Sequence, residues 1–352
     1  MTPFRWLLAG LSFAAAIAVS LYIVFTSWPH ERAVSVPPLA HLLLLVVSLL
    51  ELAARAGKMH FSAASLRFRM SFGTGLRASA GGDFGAAITP WRTGAEPARY
   101  LIMTEAGMHS AAILLIIYAE LFLEMLSLAV VAAAMFLVFR NSGSQIMGMV
   151  GLVALYAAFV LGGGAILVVL ARRRSTGPPP QWAERIGLHA GRWRAIQRGL
   201  RQLREGIEGI RDLRLGAAAA SLLCSILHIA LRLAILPIIV YAFGERPPIA
   251  PLILWPIALT YGSVLAPMPG GGGVIEVAFK FALGSTIPPH IFGASLIWWR
   301  FYTFYFFILL GALAAGGTVL RALREAKDDE LPLPDEADGQ ARAAGPGLEV
   351  SG

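Results

Sequence analysis

The chain has little of what water-soluble domains are built with. Charged residues make up only 14% of its 352 residues, against about 25% in an ordinary globular protein. Hydrophobic residues make up 57%. That balance excludes a typical soluble domain and points to a polytopic membrane protein. A single cysteine, Cys224, rules out an intramolecular disulfide. The seven histidines are scattered without metal-ligand spacing. No nucleophile–base constellation stands out either, so the chain reads as a non-enzyme that needs no cofactor. Two regions, Met70 to Gly107 and Leu252 to Gly284, also lack a clean apolar run of the ~20 residues a spanning helix needs.

What is present is basic. The formal net charge is +8. In a soluble protein that would suggest nucleic acid. Here the basic residues flank apolar spans, which is the positive-inside pattern and suits anionic lipid, so no nucleic-acid partner is expected. The main polar loop, Arg172–Arg214, holds eleven arginines. Within it Ile196, Leu200, Leu203, Ile207, Ile210 and Leu213 recur at three- and four-residue steps, the pattern of a basic amphipathic helix on the inner leaflet. The loop reads equally as a connector that sets topology.

Six apolar stretches are long enough to cross: Phe4–Trp28, Pro37–Ala54, His109–Val138, Ile146–Leu170, Ala217–Phe243 and Pro288–Leu320. The first exceeds the ~7–15 residues of a signal-peptide core, so it reads as a span. The second ends at Arg55 and Lys58, which read as its cytoplasmic flank. Residues 328–352 are acidic and rich in Gly, Pro and Ala, the composition of a disordered tail.

The two interrupted regions carry the most information. Ala266–Lys280 reads APMPGGGGVIEVAFK. Proline removes a backbone donor, and each glycine costs roughly 1 kcal/mol relative to alanine inside a helix. A helix should therefore break at Pro267–Gly273 and restart near Val274. Thr89–Arg99 reads TPWRTGAEPAR. At a constant offset of 177 residues Pro90 falls on Pro267, Gly94 on Gly271 and Arg99 on Glu276. Thr93-x-x-Glu96 has the form of a capping box, so the second limb of this region starts there. Gly/Pro-broken segments at matching places of two halves point to a transporter site at the midplane. The expected fold is all-α: about six full spans plus two re-entrant broken-helix hairpins. One domain spans residues 1–325, with inverted halves at 37–138 and 217–320. Both termini lie in the cytoplasm.

Restarting helices near Gly94 and Gly273 would aim free N–H groups at a cavity and attract anions. Arg92, Arg99, Arg232, Lys280 and Arg300 add positive charge there, and Glu96, Glu120, Glu124 and Glu276 add negative charge. Charges at membrane depth cost ~3 kcal/mol or more and face cavities or partners. Two readings stand side by side. These residues bind a lipid headgroup, or Arg99 with Glu96, Glu276 with Lys280, and Glu120 and Glu124 with Arg232 or Arg300 are ion pairs that lock the bundle. The glycine run is likewise a site or a close-packing loop. His228 reads as a core hydrogen-bonder, and Trp298 and Trp299 as packing anchors.

The motifs Pro90-x-Arg92-x-Gly94-x-Glu96-x-x-Arg99, Glu120-x3-Glu124, Pro267-x-Pro269-Gly270-Gly271-x-Gly273-x-x-Glu276 and Arg300 resemble the flippase-like transmembrane family of lysylphosphatidylglycerol synthetases, over roughly residues 66–316. The resemblance implies a bacterial inner-membrane protein linked to lipid translocation. It singles out Arg92, Gly94, Glu96, Arg99, Glu120, Pro269, Gly271, Glu276 and Arg300. Leu121 stands where the family would have an arginine. The bifunctional members' aminoacyl-transferase activity is not expected from the ~30 residues after the last span. The favoured function is translocation of an anionic phospholipid or isoprenoid-linked headgroup. The competing one is a non-transporting scaffold for an envelope-lipid or polysaccharide enzyme.

Overall fold

In the computed structural model the described residues are 22, 26, 35–139, 143–172, 193, 197, 201, 204, 213–262 and 273–328. They are helical, with no strand among them. Ten helices follow in order: α1 (Pro38–Ser65), α2 (Phe72–Ile88), α3 (Ala95–Glu105), α4 (Ser110–Val138), α5 (Gly143–Arg172), α6 (Leu215–Ala242), α7 (Ile249–Gly262), α8 (Val274–Leu283), α9 (Pro289–Arg300) and α10 (Phe306–Asp328). A π-helical turn, Phe301–Tyr305, joins the last two. Four stretches are long and apolar enough to cross a membrane: Pro38–Ser65, Ser110–Val138, Leu215–Ala242 and Pro289–Thr318. Within α5, Val153–Ile166 is a shorter apolar helix. The first expected span, most of the amphipathic loop helix and the acidic tail lie outside the described residues.

The second expected span is corrected. Its helix does not end near Ala54 but runs on to Ser65. Arg55 and Lys58 are therefore interior residues of α1, and both are buried. A helix tolerates them because each has carboxylate partners, described below.

Helices α1 and α6 form the antiparallel centre. Glu51 meets Arg232 near one end of the contact, and Ser62 meets Ser221 near the other. Between them, a Cβ on Gly57 would come 3.0 Å from the Cys224 sulfur, so the backbones approach closely. Small residues and serine hydrogen bonds are what hold helices together where lipid supplies no hydrophobic contrast. The 177-residue offset reappears in the boundaries. It carries α1 onto α6 end for end, and the start of α2 onto the start of α7.

Both interruptions exist. The first region is an antiparallel helical hairpin of α2 and α3. Its limbs touch through Gly85 against Gly94 and Ala98, then Gly82 against Arg99, then Gly81 against Ile102. A Cβ at Gly85 would overlap the Gly94 carbonyl, so glycine sets this spacing. In the second region α8 restarts at Val274, with Gly273 at φ 78 as its cap. Only glycine enters that backbone region without strain. Residues 263–272, and with them Pro267, Pro269, Gly271 and the rest of the break, lie outside the described residues. Apolar side chains of α8, including Ile275 and Phe279, join the largest core cluster with α1, α6, α7 and α9.

Candidate functional site

Between α2 and α3 the chain makes a tight turn, Pro90–Arg92. Trp91 (φ 49) and Arg92 (φ 57) both adopt left-handed backbone. Such residues cost about 1–2 kcal/mol each unless the surroundings impose them, and strain of this kind gathers at functional sites. The turn is held by Thr89, whose hydroxyl donates to the Gly85 carbonyl and accepts from the Gly94 N–H. Helix α3 then starts with Gly94 as its cap. This corrects the expected capping box: Gly94, not Thr93, caps the helix, and it does so without a side-chain bond. Glu96 and Pro97 fall in the first turn, where an acid is favourable and proline is tolerated.

Behind this turn lie two chains of buried charge. The first runs Arg232–Glu51–Arg55–Asp83–Arg92. Arg232 is 3.2 Å from Glu51, Arg55 is 3.1 Å from Glu51 and 2.6 Å from Asp83, and Arg92 is 4.0 Å from Asp83. The second runs Glu96–Arg99–Glu120–Lys58–Glu124. Arg99 is 3.2 Å from Glu96 and 2.9 Å from Glu120; Lys58 Nζ is 2.8 Å from Glu120 and 2.6 Å from Glu124. Tyr261 donates to Glu124, and His228 Nε2 sits 4.0 Å from it. Five carboxylates thus face five bases, contributed by five helices and the Pro90–Arg92 turn. An unpaired charge here would cost several kcal/mol, and the pairing is what makes burial possible.

The network is graded. Lys58 is 1% exposed and Glu120 2%, while Arg92 is 26% and Glu96 41% exposed. It is closed at α1 and opens at the strained turn. At the boundary, Arg99 Nε and Glu96 Oε2 are buried atoms with no hydrogen-bond partner among the described residues. Arg99 lies over Gly82, where a Cβ would come 2.7 Å from Nε.

The structure redistributes the expected site residues. Arg92, Gly94, Glu96, Arg99, Glu120, Glu124 and Arg232 come together around the turn. Glu276 and Arg300 do not join them. They form a separate buried pair at 2.9 Å, with the Arg300 guanidinium 4.4 Å from the Phe304 ring centre. Neither of the two pairings expected of these acids occurs. Glu120 and Glu124 take Lys58 and Arg99 rather than Arg232 or Arg300, and Glu276 takes Arg300 rather than Lys280. Lys280 is exposed. Gly273 is buried at the cap of α8. Pro269 and Gly271 lie outside the described residues.

Sequence reasoning missed Glu51, Arg55, Lys58 and Asp83. A signal was available: Glu51 and Arg55 stand four apart, one helical turn, and Lys58 follows three later on the same face. The 177 offset also places Arg55 on Arg232 and Ser48 on Ser225. Among the described residues, no group of three His, Cys, Asp or Glu side chains is placed to hold a metal ion.

No curated protein and no solved structure matches this chain. A family model does, over residues 8–311, and its description fits a bundle of apolar helices around buried charge: the chain belongs to the lysylphosphatidylglycerol synthase TM region family.

Proposed function

We propose that this membrane-embedded protein is a lipid translocase. The α2–α3 and α7–α8 segments act as re-entrant hairpins, and a headgroup crosses along the polar network while its tails stay in lipid. Both termini then lie in the cytoplasm of a bacterial inner membrane. The observation that carries the reading is the graded network, sealed at Lys58 and open at Arg92 and Glu96. A pure structural lock has no use for an open end. Broken backbone at membrane depth also survives only where it is buried in protein or lines a wet cavity. Equivalent helices at one constant offset, packed antiparallel at the centre, are what two inverted halves would produce.

The network's formal charges cancel, so an anionic headgroup is not drawn in by surplus charge. It enters by exchange. A phosphate displaces Asp83 from Arg92, the most weakly held of the five bases at 4.0 Å. Anionic phospholipids and isoprenoid-linked phosphates share that group.

The scaffold reading draws on the sealed end of the same network: at Lys58 and Glu120 the core is fully closed. Translocation of a fluorescent anionic phospholipid in proteoliposomes separates the two. Arg92→Ala and the milder Arg92→Gln should abolish movement while the protein still elutes as a folded species, since Asp83 keeps Arg55. Unchanged movement in both variants, or none in the wild-type protein, would refute translocation.

A further inference from the structure

The buried network has a neighbour that takes no part in its pairing. His228 lies on α6, between Ser225 and Arg232, and is 3% exposed. The core hydrogen bond expected of it is not made among the described residues. Its Nδ1 is buried there without a partner. Its Nε2 stands 4.0 Å from Glu124 Oε1, beyond hydrogen-bond reach. A buried polar group left without a bond is costly and calls for an explanation.

The position is held on every side. One turn away along both helices, the Ser127 and Ser225 hydroxyls bond at 2.7 Å and tie α4 to α6. Lys58 takes Glu124 Oε2, and the Tyr261 hydroxyl donates to Oε1, the same atom that faces the imidazole. On α5 the Tyr156 ring packs edge-on against Tyr261. The charged groups within electrostatic reach of His228 are Lys58 and Arg55 on α1, Glu120 and Glu124 on α4, and Arg232 on its own helix.

Buried hydroxyls lead up to the imidazole. Ser221, Ser225 and His228 follow one another along α6 at steps of four and three residues, and so share a face. Ser221 Oγ donates to the Lys58 carbonyl and meets Ser62 Oγ at 2.9 Å. Ser65 Oγ, at the end of α1, donates to the Ser62 carbonyl. Each hydroxyl both donates and accepts, which is what passing a proton inward requires.

The charge count gives the position its meaning. The network is neutral, so a monoanionic headgroup entering it brings one surplus negative charge. An uncompensated charge in such a core is costly. One proton on His228 cancels it. The second ring N–H forms, and the imidazolium lies beside the Glu124 carboxylate. Histidine is the side chain that changes charge near neutral pH, and histidines set among acids within membrane spans are the material of proton relays.

We infer that His228 is a proton-binding site linked to headgroup entry at Arg92, taking up one proton with each monoanionic headgroup. The inference rests on the translocase reading only for where the anion enters.

The test is a binding measurement, so it reads separately from lipid movement. The full chain in detergent micelles is titrated with phosphatidylglycerol between about pH 5 and 8, the window in which an imidazole changes charge. Proton uptake is counted in weakly buffered solution. Wild-type affinity should rise as pH falls, by up to roughly tenfold per pH unit, with about one proton taken up per lipid, the limits for one linked proton. Phosphatidylcholine, which carries no net charge, should bring no proton with it. His228→Gln keeps a polar side chain that cannot charge, so its binding should show neither pH slope nor proton uptake. Tyr261→Phe removes the donor that competes for Glu124 Oε1 and should move the profile to higher pH. The proposal is overturned if the wild-type protein takes up no proton with phosphatidylglycerol, or if His228→Gln keeps the wild-type slope. Should His228→Gln not fold, an unmoved Tyr261→Phe profile overturns it. A wild-type protein that binds phosphatidylglycerol with proton uptake, yet moves none in proteoliposomes, would refute translocation and leave the proton site standing.

Discussion

The two halves of the molecule put charge into the membrane by one plan and to different ends. In each, a short helix restarts after a break and carries one charge to an opposite charge on the long helix that follows. Arg99 meets Glu120 at 2.9 Å, and Glu276 meets Arg300 at 2.9 Å. The signs are exchanged. The surroundings differ more. In the first half the pair belongs to a ten-membered network that reaches an opening. In the second the pair lies beside the Phe304 and Tyr305 rings. The 177 offset shows where they part. Lys58, Glu120 and Glu124 fall on Ile235, Ile297 and Phe301. An amine and both of its carboxylates are replaced by apolar residues as a set, and Ile235 sits in the main hydrophobic core. The amine is lost together with the carboxylates that face it.

The largest expected effect removes the amine and leaves its carboxylates in place. Lys58→Met takes from Glu124 its one close cationic partner among the described residues and leaves Glu120 with Arg99 alone; the lost amine is 1% exposed. Removing one member of a buried pair costs about 3–5 kcal/mol, enough to unfold most of the protein in detergent. The triple variant Lys58→Met/Glu120→Leu/Glu124→Leu imitates the second half. It should regain most of the lost stability, since Arg99 keeps Glu96, yet it should not translocate lipid. Thermal unfolding and a proteoliposome assay read the two outcomes. A triple variant that translocates normally would show that the network and the lone pair do the same job.

The second-half pair gives the reciprocal test. Glu276→Leu should cost about 3 kcal/mol, the lower end of the range for a broken buried pair, because Arg300 keeps its place over Phe304. Glu276→Leu/Arg300→Leu should recover to within about 1 kcal/mol of the wild-type protein, as apolar replacements of buried pairs often do. Translocation should persist in the double variant. Its loss would move the site toward α8 and α9.

Much of this plan was legible in residue order, and the illegible part has one physical cause. The breaks were readable because proline and glycine act locally. The restarts at Gly94 and Gly273 fall within a residue or two of where that chemistry puts them. The interior role of Arg55 and Lys58 was not readable in the same way. A lysine at the end of an apolar run looks like a membrane flank until its partners are known. Glu120 and Glu124 lie more than sixty residues away. Asp83, hidden in a glycine-rich stretch, carries no local mark of burial. Helix type is a local property; who neutralises whom is not.

A smaller effect concerns what holds the open end in shape. A methyl at Gly85 overlaps the Gly94 carbonyl and the Ala98 side chain. Overpacking of this kind costs about 1–3 kcal/mol. Gly85→Ala should spread the α2–α3 hairpin, lower the thermal midpoint and slow translocation together. Gly316→Ala is the matched control, because a Cβ there meets nothing within 4 Å.

The smallest effect sits on the rim, where the first-half hairpin is tied to α10 by exposed charge rather than buried charge. Thr318 donates to Glu105 at 2.7 Å, and Arg77 and Arg321 lie 2.8 and 2.7 Å from it. The bonds from Thr318 and Arg77 hold the Glu105 carboxyl below its usual range. A depressed folded-state value means the contribution is present above the ordinary carboxylate value of 4.5 and is lost as pH falls through the folded-state value. The midpoint gap between wild type and Glu105→Gln should therefore be small at neutral pH and close steadily in acid. High salt should shrink it further, because exposed pairs are screened. Lys58→Met should behave otherwise: its deficit belongs to groups sealed from solvent and should barely respond to salt. If salt moved both variants alike, the contrast between a sealed network and a solvated clamp would be wrong.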